Sequence, residues 1–180
     1  MMSTEGRGTT TLSRDERFVE AILQRCAENK GLAARLRRAD NPATEYQSWD
    51  VLGSLGIDLE RDYQRLPFVT VAAAMAKSKA EANGKLALGR AIASCYEEGR
   101  ESSQAKARLR RLLACDELGE VCRVLRPILT LIDSKVGQPL DFVRLLRQLR
   151  NFPFHAQSIK AQWAQEFYGQ PAEPIAGGET

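Results

Sequence analysis

The sequence predicts an all-α protein, for three reasons. Apolar residues recur at the i, i+3, i+4, i+7 spacing of helices that are buried on one side. No stretch has the alternation of β-branched and polar residues that marks a half-buried strand. Capping residues and glycines divide the chain into segments of helical length. With 180 residues, the chain can form one domain or two small helical lobes.

The chain begins with a polar tail followed by two predicted helices. Residues 1–12 are rich in Gly, Ser and Thr, and we expect them to be disordered. Ser13 and Glu16 have the spacing of a capping box, which starts a helix that we expect to end at Gly31. A short basic helix is predicted at residues 32–39.

Two further helices are predicted before residue 84. Asn41 is the expected N-cap of the first, with Pro42 in its first turn. Its buried side is predicted to consist of Tyr46, Trp49 and Leu52. The second helix is recognised by the apolar residues Phe68, Val71, Ala72 and Met75. It runs out near the Asn-Gly pair at residues 83–84, the predicted boundary between an N-terminal lobe (13–83) and a C-terminal lobe (84–169).

Residues 85–116 are predicted to form two short helices joined by a polar turn, with one side buried and the other side basic. A long helix follows, for which Asp116 is the expected N-cap. Pro127 lies within the apolar pattern of that helix. We expect it to kink the helix or to split it near Arg126, because proline lacks an N–H group and clashes with the preceding turn.

Two helices complete the chain. Asp141 is the expected N-cap of the first, and residues 151–154 are predicted to be a turn. The last helix is expected to end at Gly169 and to bury Ile159, Trp163 and Phe167. Residues 170–180 are rich in Pro and Gly and acidic, so a second disordered tail is predicted there.

Basic residues cluster in two blocks, although the formal net charge of the chain is only +3. Residues 77–111 contain nine basic and four acidic residues, and residues 123–160 contain seven basic and two acidic residues. Such segregation predicts a basic face that binds phosphates. A solvated surface without a ligand is the alternative.

The sequence contains no recognisable catalytic or metal-binding motif. GxSxG, P-loop and HExxH patterns are absent, and the single histidine, His155, is expected to have a structural or surface role. The four cysteines lack CxxC spacing, which favours reduced thiols in a cytosolic protein over a zinc site. No catalytic residue, metal or cofactor is therefore predicted. No apolar run reaches the roughly 20 residues of a membrane span, and the polar N-terminus does not resemble a signal peptide.

Gly89, within a Leu-Gly-Arg segment, indicates a close approach to its backbone, either by the backbone of a packed helix or by a ligand phosphate.

No platform for stacking unpaired bases is expected, because the aromatic residues of the apolar stripes are predicted to be core: Trp49, Phe142, Trp163 and Phe167. Arginines without exposed aromatics favour contact with the nucleic-acid backbone. Such contact is independent of base sequence and sensitive to salt.

Five blocks of the C-terminal half, in their order and spacing, resemble the CasB family, the small subunit of the type I-E CRISPR surveillance complex Cascade. The resemblance spans residues 86–168, and its blocks are LALGRAIA, ARLRRLLACD, VCRVLRPIL, PLDFVRLLRQL and IKAQWAQEFY. It implies a fold of two packed helical bundles and no enzymatic activity. It also implies a cytoplasmic subunit that stabilises the hybrid of guide RNA and target DNA and holds the displaced DNA strand on a basic path. The implied partners are guide RNA, target DNA, the other Cascade subunits and a second copy of the chain, with no membrane.

Seven cations are the predicted nucleic-acid-binding residues. Arg90 and Arg108 match the resembling blocks best, and Arg144 lies within the block PLDFVRLLRQL. Charge and expected exposure add Lys85, Lys106, Arg111 and Arg147. Two other interpretations stay open. One is a helix-turn-helix regulator in which residues 102–111 imitate a recognition helix. The other is a protein-only helical scaffold whose arginines merely keep the helices solvated.

Overall fold

The computed structural model describes residues 10–169. The two predicted tails therefore lie outside the described residues, apart from residues 10–12. Within the described part the fold is all-α, as predicted, with no β-pairing beyond a single bridge between Leu86 and Leu140. The eight α-helices are α1 (Arg14–Glu28), α2 (Lys30–Arg38), α3 (Trp49–Ser54), α4 (Asp62–Ser78), α5 (Leu88–Ser94), α6 (Ser103–Leu113), α7 (Leu118–Lys135) and α8 (Phe142–Tyr168). Two 3-10 helices span Pro42–Ser48 and Gly99–Glu101.

The capping box predicted at the start of α1 is confirmed. The Ser13 hydroxyl accepts from the Glu16 N–H at 3.2 Å, and the Glu16 carboxylate accepts from the Ser13 N–H at 2.9 Å. The predicted end at Gly31 is wrong. The backbone is already extended at Asn29, whose N–H closes α1 on the carbonyl of Arg25 and whose side chain caps α2. One residue thus ends one helix and starts the next.

The segment after Asn41 begins as predicted but does not continue as an α-helix. Asn41 accepts from the Ala43 N–H at 3.0 Å, and a 3-10 helix precedes α3. Of the three side chains predicted to be buried, only Leu52 is; Tyr46 is 59% exposed and Trp49 is 39% exposed. The tighter 3-10 turn changes the angle between successive side chains, so the α-helical spacing no longer brings these residues to one face.

Helix α4 forms the centre of the molecule. Every residue from Pro67 to Ala76 is buried, and α4 packs against α2, α7 and α8. The segment after α4 is held against the start of α8, where the Asn83 side chain accepts from the Phe142 N–H at 2.7 Å. The Gly84 N–H donates to the Leu140 carbonyl at 2.9 Å, and a side chain at Gly84 would overlap the backbone of Pro139. The division into two lobes at this point stays a prediction.

Pro127 does not split α7. The helix runs through this residue without a break, so of the two predicted effects the split is wrong, and the kink stays a prediction. Pro127 and Arg123 are both exposed, and water can therefore bond to the Arg123 carbonyl that loses its helical partner. The division between two helices predicted at residues 151–154 is present, but it lies one residue later, as a kink at His155. Helix α8 includes these residues and bends at His155, where φ is −140° and ψ is 40°.

The start of α7 also differs from the prediction. Glu117, not Asp116, occupies the N-cap position, and no side chain caps it. The Asp116 N–H instead donates to the Glu120 carboxylate at 3.2 Å, while the Asp116 carboxylate lies 3.4 Å from Nζ of Lys160 on α8. The carboxylate is therefore engaged with another helix and does not cap its own.

Cys122, in the core on α7, gives the fold a dependence on alkaline pH. Burial raises the pKa of its thiol to about 11, whereas an unfolded cysteine titrates near about 8.5. The folded state disfavours the thiolate. The contribution of the buried thiol to the free energy of unfolding is therefore fully present below about pH 8.5 and is lost as the pH rises toward about 11. In urea titrations between about pH 8 and pH 11, we expect the stability advantage of the wild type over Cys122→Ala to narrow by about 3 kcal/mol. A constant difference between the two proteins would contradict this account.

Candidate nucleic-acid interface

Gly89 lets α5 lie directly on the C-terminal half of α8. A Cβ atom at this position would lie 2.3 Å from the carbonyl oxygen of Trp163 and 2.7 Å from the backbone nitrogen of Phe167. Two helix backbones therefore touch here, which confirms the helix-packing interpretation of this glycine. This contact between α5 and α8 fixes the position of Arg90, which follows Gly89 in the sequence, relative to α8.

Beside this contact lies Glu166, whose side chain is only 6% exposed. One carboxylate oxygen accepts from the Gly89 N–H at 3.1 Å. The other accepts from Nε of Arg144 at 2.7 Å and from Nε2 of Gln148 at 2.9 Å. Gln148 in turn accepts from the indole N–H of Trp163 at 2.9 Å. These bonds tie α5 and both halves of α8 into one rigid unit.

A first groove, the α5–α8 groove, has a volume of about 680 Å³ and is bordered by three of the predicted cations, Lys85, Arg90 and Arg144. Arg90 donates to the carbonyl of Gly169 at the end of α8, and Arg144 is paired with Glu166. Lys85 is exposed and forms no ion pair within residues 10–169. Its backbone lies between two hydrogen bonds, from the N–H of Gly84 to the carbonyl of Leu140 and from the N–H of Asp141 to the carbonyl of Leu86.

A second groove, the α6–α7 groove, has a volume of about 290 Å³ and is bordered by three cations, Arg108, Arg111 and Arg123, and by one acid, Glu120. Arg108 donates through Nε to the Tyr96 hydroxyl at 2.7 Å. Arg111 is exposed and, within the described part of the chain, has no acidic partner at ion-pair distance. Arg123 was not among the predicted residues, although it lies in the resembling block VCRVLRPIL and on the exposed side of α7.

The remaining two predicted cations border neither groove. Lys106 lies 3.4 Å from the Glu101 carboxylate. Nε of Arg147 lies 3.8 Å from the buried carboxylate of Asp15, which Arg150 also contacts. Of the seven predicted residues, three thus border the α5–α8 groove, two border the α6–α7 groove, and Lys106 and Arg147 lie at two other places. Lys85 and Arg111 are the members of the groove groups that carry no interaction with an acid, a carbonyl or a hydroxyl among the described residues.

Residues 10–169 contain no group of three or more His, Cys, Asp and Glu side chains arranged to hold a metal ion. In the same part of the chain, no helix combines the length and the apolar character needed to cross a bilayer.

Comparison with protein-family models matches residues 32–168 to CRISPR-associated protein Cse2. This match begins well before residue 86, where the resemblance seen in the sequence starts, and it includes all seven predicted cations. No curated protein sequence matches the chain significantly.

Solved structures share the fold. A CRISPR-associated protein of the Cse2 family from Thermus thermophilus is 25% identical, with a TM-score of 0.72 over 88% of this chain and 100% of that chain. CasB from M. ruber is 24% identical, with a TM-score of 0.69 over 88% of this chain and 94% of that one. A chain of a CRISPR RNA-guided surveillance complex is 21% identical, with a TM-score of 0.64 and coverages of 86% and 90%. At the lower identities the likeness concerns the fold alone.

Proposed function

Because the chain belongs to the CRISPR-associated Cse2 family, we propose that it is a non-catalytic small subunit of a type I-E CRISPR surveillance complex in the cytoplasm. In this role it stabilises the hybrid of guide RNA and target DNA and holds the displaced DNA strand. Its partners are guide RNA, target DNA, the larger subunits and a second copy of itself. The similarity of fold to a chain of an RNA-guided surveillance complex supports the placement.

The observation that carries the proposal is the placement of Lys85 and Arg111. Each is exposed at the rim of a groove, on backbone that hydrogen bonds or helix packing hold in place, and neither is neutralised by an acid within residues 10–169. Unpaired cations on a rigid scaffold attract phosphates without reading bases. This agrees with a division of labour in which base pairing reads the sequence and the protein reads backbone charge and shape.

Charge reversal at these two positions is the direct test. We expect Lys85→Glu and Arg111→Glu each to weaken the affinity for an RNA–DNA hybrid about five- to tenfold at moderate salt, to the same extent for different base sequences. Each variant should also lower the slope of log affinity against log salt by about 1, because one phosphate contact is lost. The matched control is Lys30→Glu, the same charge change at an exposed position in the first turn of α2. Affinities can be measured by fluorescence anisotropy across a salt series.

The outcomes separate the proposal from its rivals. Unchanged affinity in both variants would favour the protein-only scaffold. Binding of the isolated protein to one DNA sequence with a defined footprint would favour the helix-turn-helix regulator.

Purification of the tagged protein from its native cells provides the independent check. We expect larger subunits in fixed stoichiometry and repeat-derived guide RNA to copurify, and their absence would contradict membership of the complex.

A further inference from the structure

Phe154 and Tyr63 form an exposed aromatic pair at the bend of α8. Phe154 is 68% exposed and Tyr63 is 43% exposed. Their ring centroids are 6.4 Å apart and the rings are nearly perpendicular, at 88°. Large apolar side chains with this exposure are candidates for a binding surface, and two in contact provide more area than a single one.

The pair is held in place by the buried side of the same helix. Phe152, two residues before Phe154, is fully buried and stacks on Trp163 with a centroid distance of 5.9 Å and an interplanar angle of 17°. Two residues along an α-helix correspond to a rotation of about 200°, so burial of Phe152 turns Phe154 toward solvent. The bend at His155 follows immediately.

The aromatic pair stands at one end of a basic row. Arg144, Arg147, Asn151 and Phe154 follow the i, i+3, i+7, i+10 spacing of one helix face, and all four are exposed. At a rise of about 1.5 Å per residue, Phe154 lies about 10 Å beyond Arg147 and about 15 Å beyond Arg144 along the helix axis. Nε of Arg147 lies 3.8 Å from the buried Asp15 carboxylate, which Arg150 also contacts. The Arg147 side chain is itself half exposed, so its guanidinium can bind a phosphate.

We propose that Phe154, together with Tyr63, is a stacking site for an unpaired base of a single-stranded nucleic acid whose phosphates follow Arg147 and Arg144 along α8. The inference rests on the proposed function and adds contact with bases to contact with the backbone. A row of cations that ends in exposed aromatic rings is the combination used for single strands, because every base offers a flat face to a ring. A duplex keeps its bases stacked inside and has none to offer.

The test compares two single-stranded oligonucleotides of equal length, an oligothymidine and an abasic strand with the same sugar-phosphate backbone. We expect the wild-type protein to bind oligothymidine about tenfold more tightly than the abasic strand. Phe154→Ala should remove this preference and leave the affinity for the abasic strand unchanged. Phe154→Leu keeps an apolar side chain without an aromatic face and should behave like Phe154→Ala, whereas Phe154→Trp should retain the preference.

Tyr46→Ala is the matched control, since Tyr46 is an exposed aromatic residue on the 3-10 helix before α3 and should leave the preference intact. Equal affinity of the wild type for both strands would overturn the stacking site and leave the backbone proposal standing. Binding of neither strand would overturn both. A preference for oligothymidine that persists in Phe154→Ala would overturn the stacking site. If this variant also failed to copurify with the larger subunits, the aromatic pair would be a contact with another protein instead.

Discussion

Replacing Gly89 with alanine is expected to lower the free energy of unfolding by about 3 kcal/mol. The added methyl group would lie 2.3 Å from the Trp163 carbonyl oxygen and 2.7 Å from the Phe167 nitrogen. Both are backbone atoms of α8, so the clash is relieved only if α5 and α8 move apart. For a chain of this size the loss corresponds to a fall in melting temperature of about 6–12 °C, measurable by circular dichroism or calorimetry.

Gly119 provides the control for this substitution. It also lies in a helix, in the first turn of α7, but a Cβ atom there would meet nothing within 4 Å. We expect Gly119→Ala to leave stability unchanged or to raise it by about 0.5–1 kcal/mol, because alanine favours the helix over glycine. If Gly89→Ala were as stable as the wild type, the close contact between α5 and α8 would be wrong.

The second large effect is expected at Glu166. Its carboxylate is almost fully buried and is the acceptor for the Gly89 N–H, the Arg144 guanidinium and the Gln148 amide. Glu166→Ala removes the acceptor from these groups in partly buried surroundings and should cost about 3 kcal/mol in a urea titration. Glu166→Gln should lower the free energy of unfolding by less than Glu166→Ala, because its amide oxygen can still accept a hydrogen bond. Some loss is still expected, because the amide NH₂ group then faces another donor.

Glu97→Ala is a suitable comparison for Glu166→Ala, because Glu97 is exposed and makes no hydrogen bond or ion pair within residues 10–169. Its removal should change stability by less than about 0.5 kcal/mol. A second readout separates structure from binding. Loss of Glu166 removes the negative charge beside Arg144, so folded Glu166→Ala should bind nucleic acid more tightly than the wild type. Equal stability of Glu166→Ala and Glu97→Ala would contradict the role assigned to this carboxylate.

The interactions of Arg90, Arg108 and Arg144 determine which substitutions can test nucleic-acid binding. Arg90 holds the end of α8, Arg108 holds Tyr96, and Arg144 neutralises Glu166. Charge reversal at Arg144 would place two carboxylates together near the core and would disturb the fold along with any binding. Lys85 and Arg111 avoid this problem, and they are therefore the cleaner positions for a binding assay.

Short-range features of the fold could be predicted from the sequence alone. The Ser13–Glu16 capping box and the Asn41 cap involve residues two or three apart, and their hydrogen bonds form within one turn. The buried stripes of α6 and α7 follow directly from the 3.6-residue period. Predictions failed where a neighbouring element intervened. Helix α1 ends before Gly31, because the backbone is extended at Asn29 and the Asn29 side chain caps α2. Trp49 is exposed, because a 3-10 helix and not an α-helix precedes it.

By itself the sequence determined the helical class, the approximate helices, and seven cations that belong to the basic blocks. Only the tertiary structure decided which of these cations are engaged within the protein, because their partners lie far away along the chain. Arg144 meets Glu166 from 22 residues away, and Arg90 meets Gly169 from 79 residues away. The same holds for Phe154, whose exposure depends on the burial of Phe152 against Trp163. Periodicity specifies which side of a helix is apolar, but an ion pair depends on the distance between two charges, and that distance is set by the packing of helices on one another.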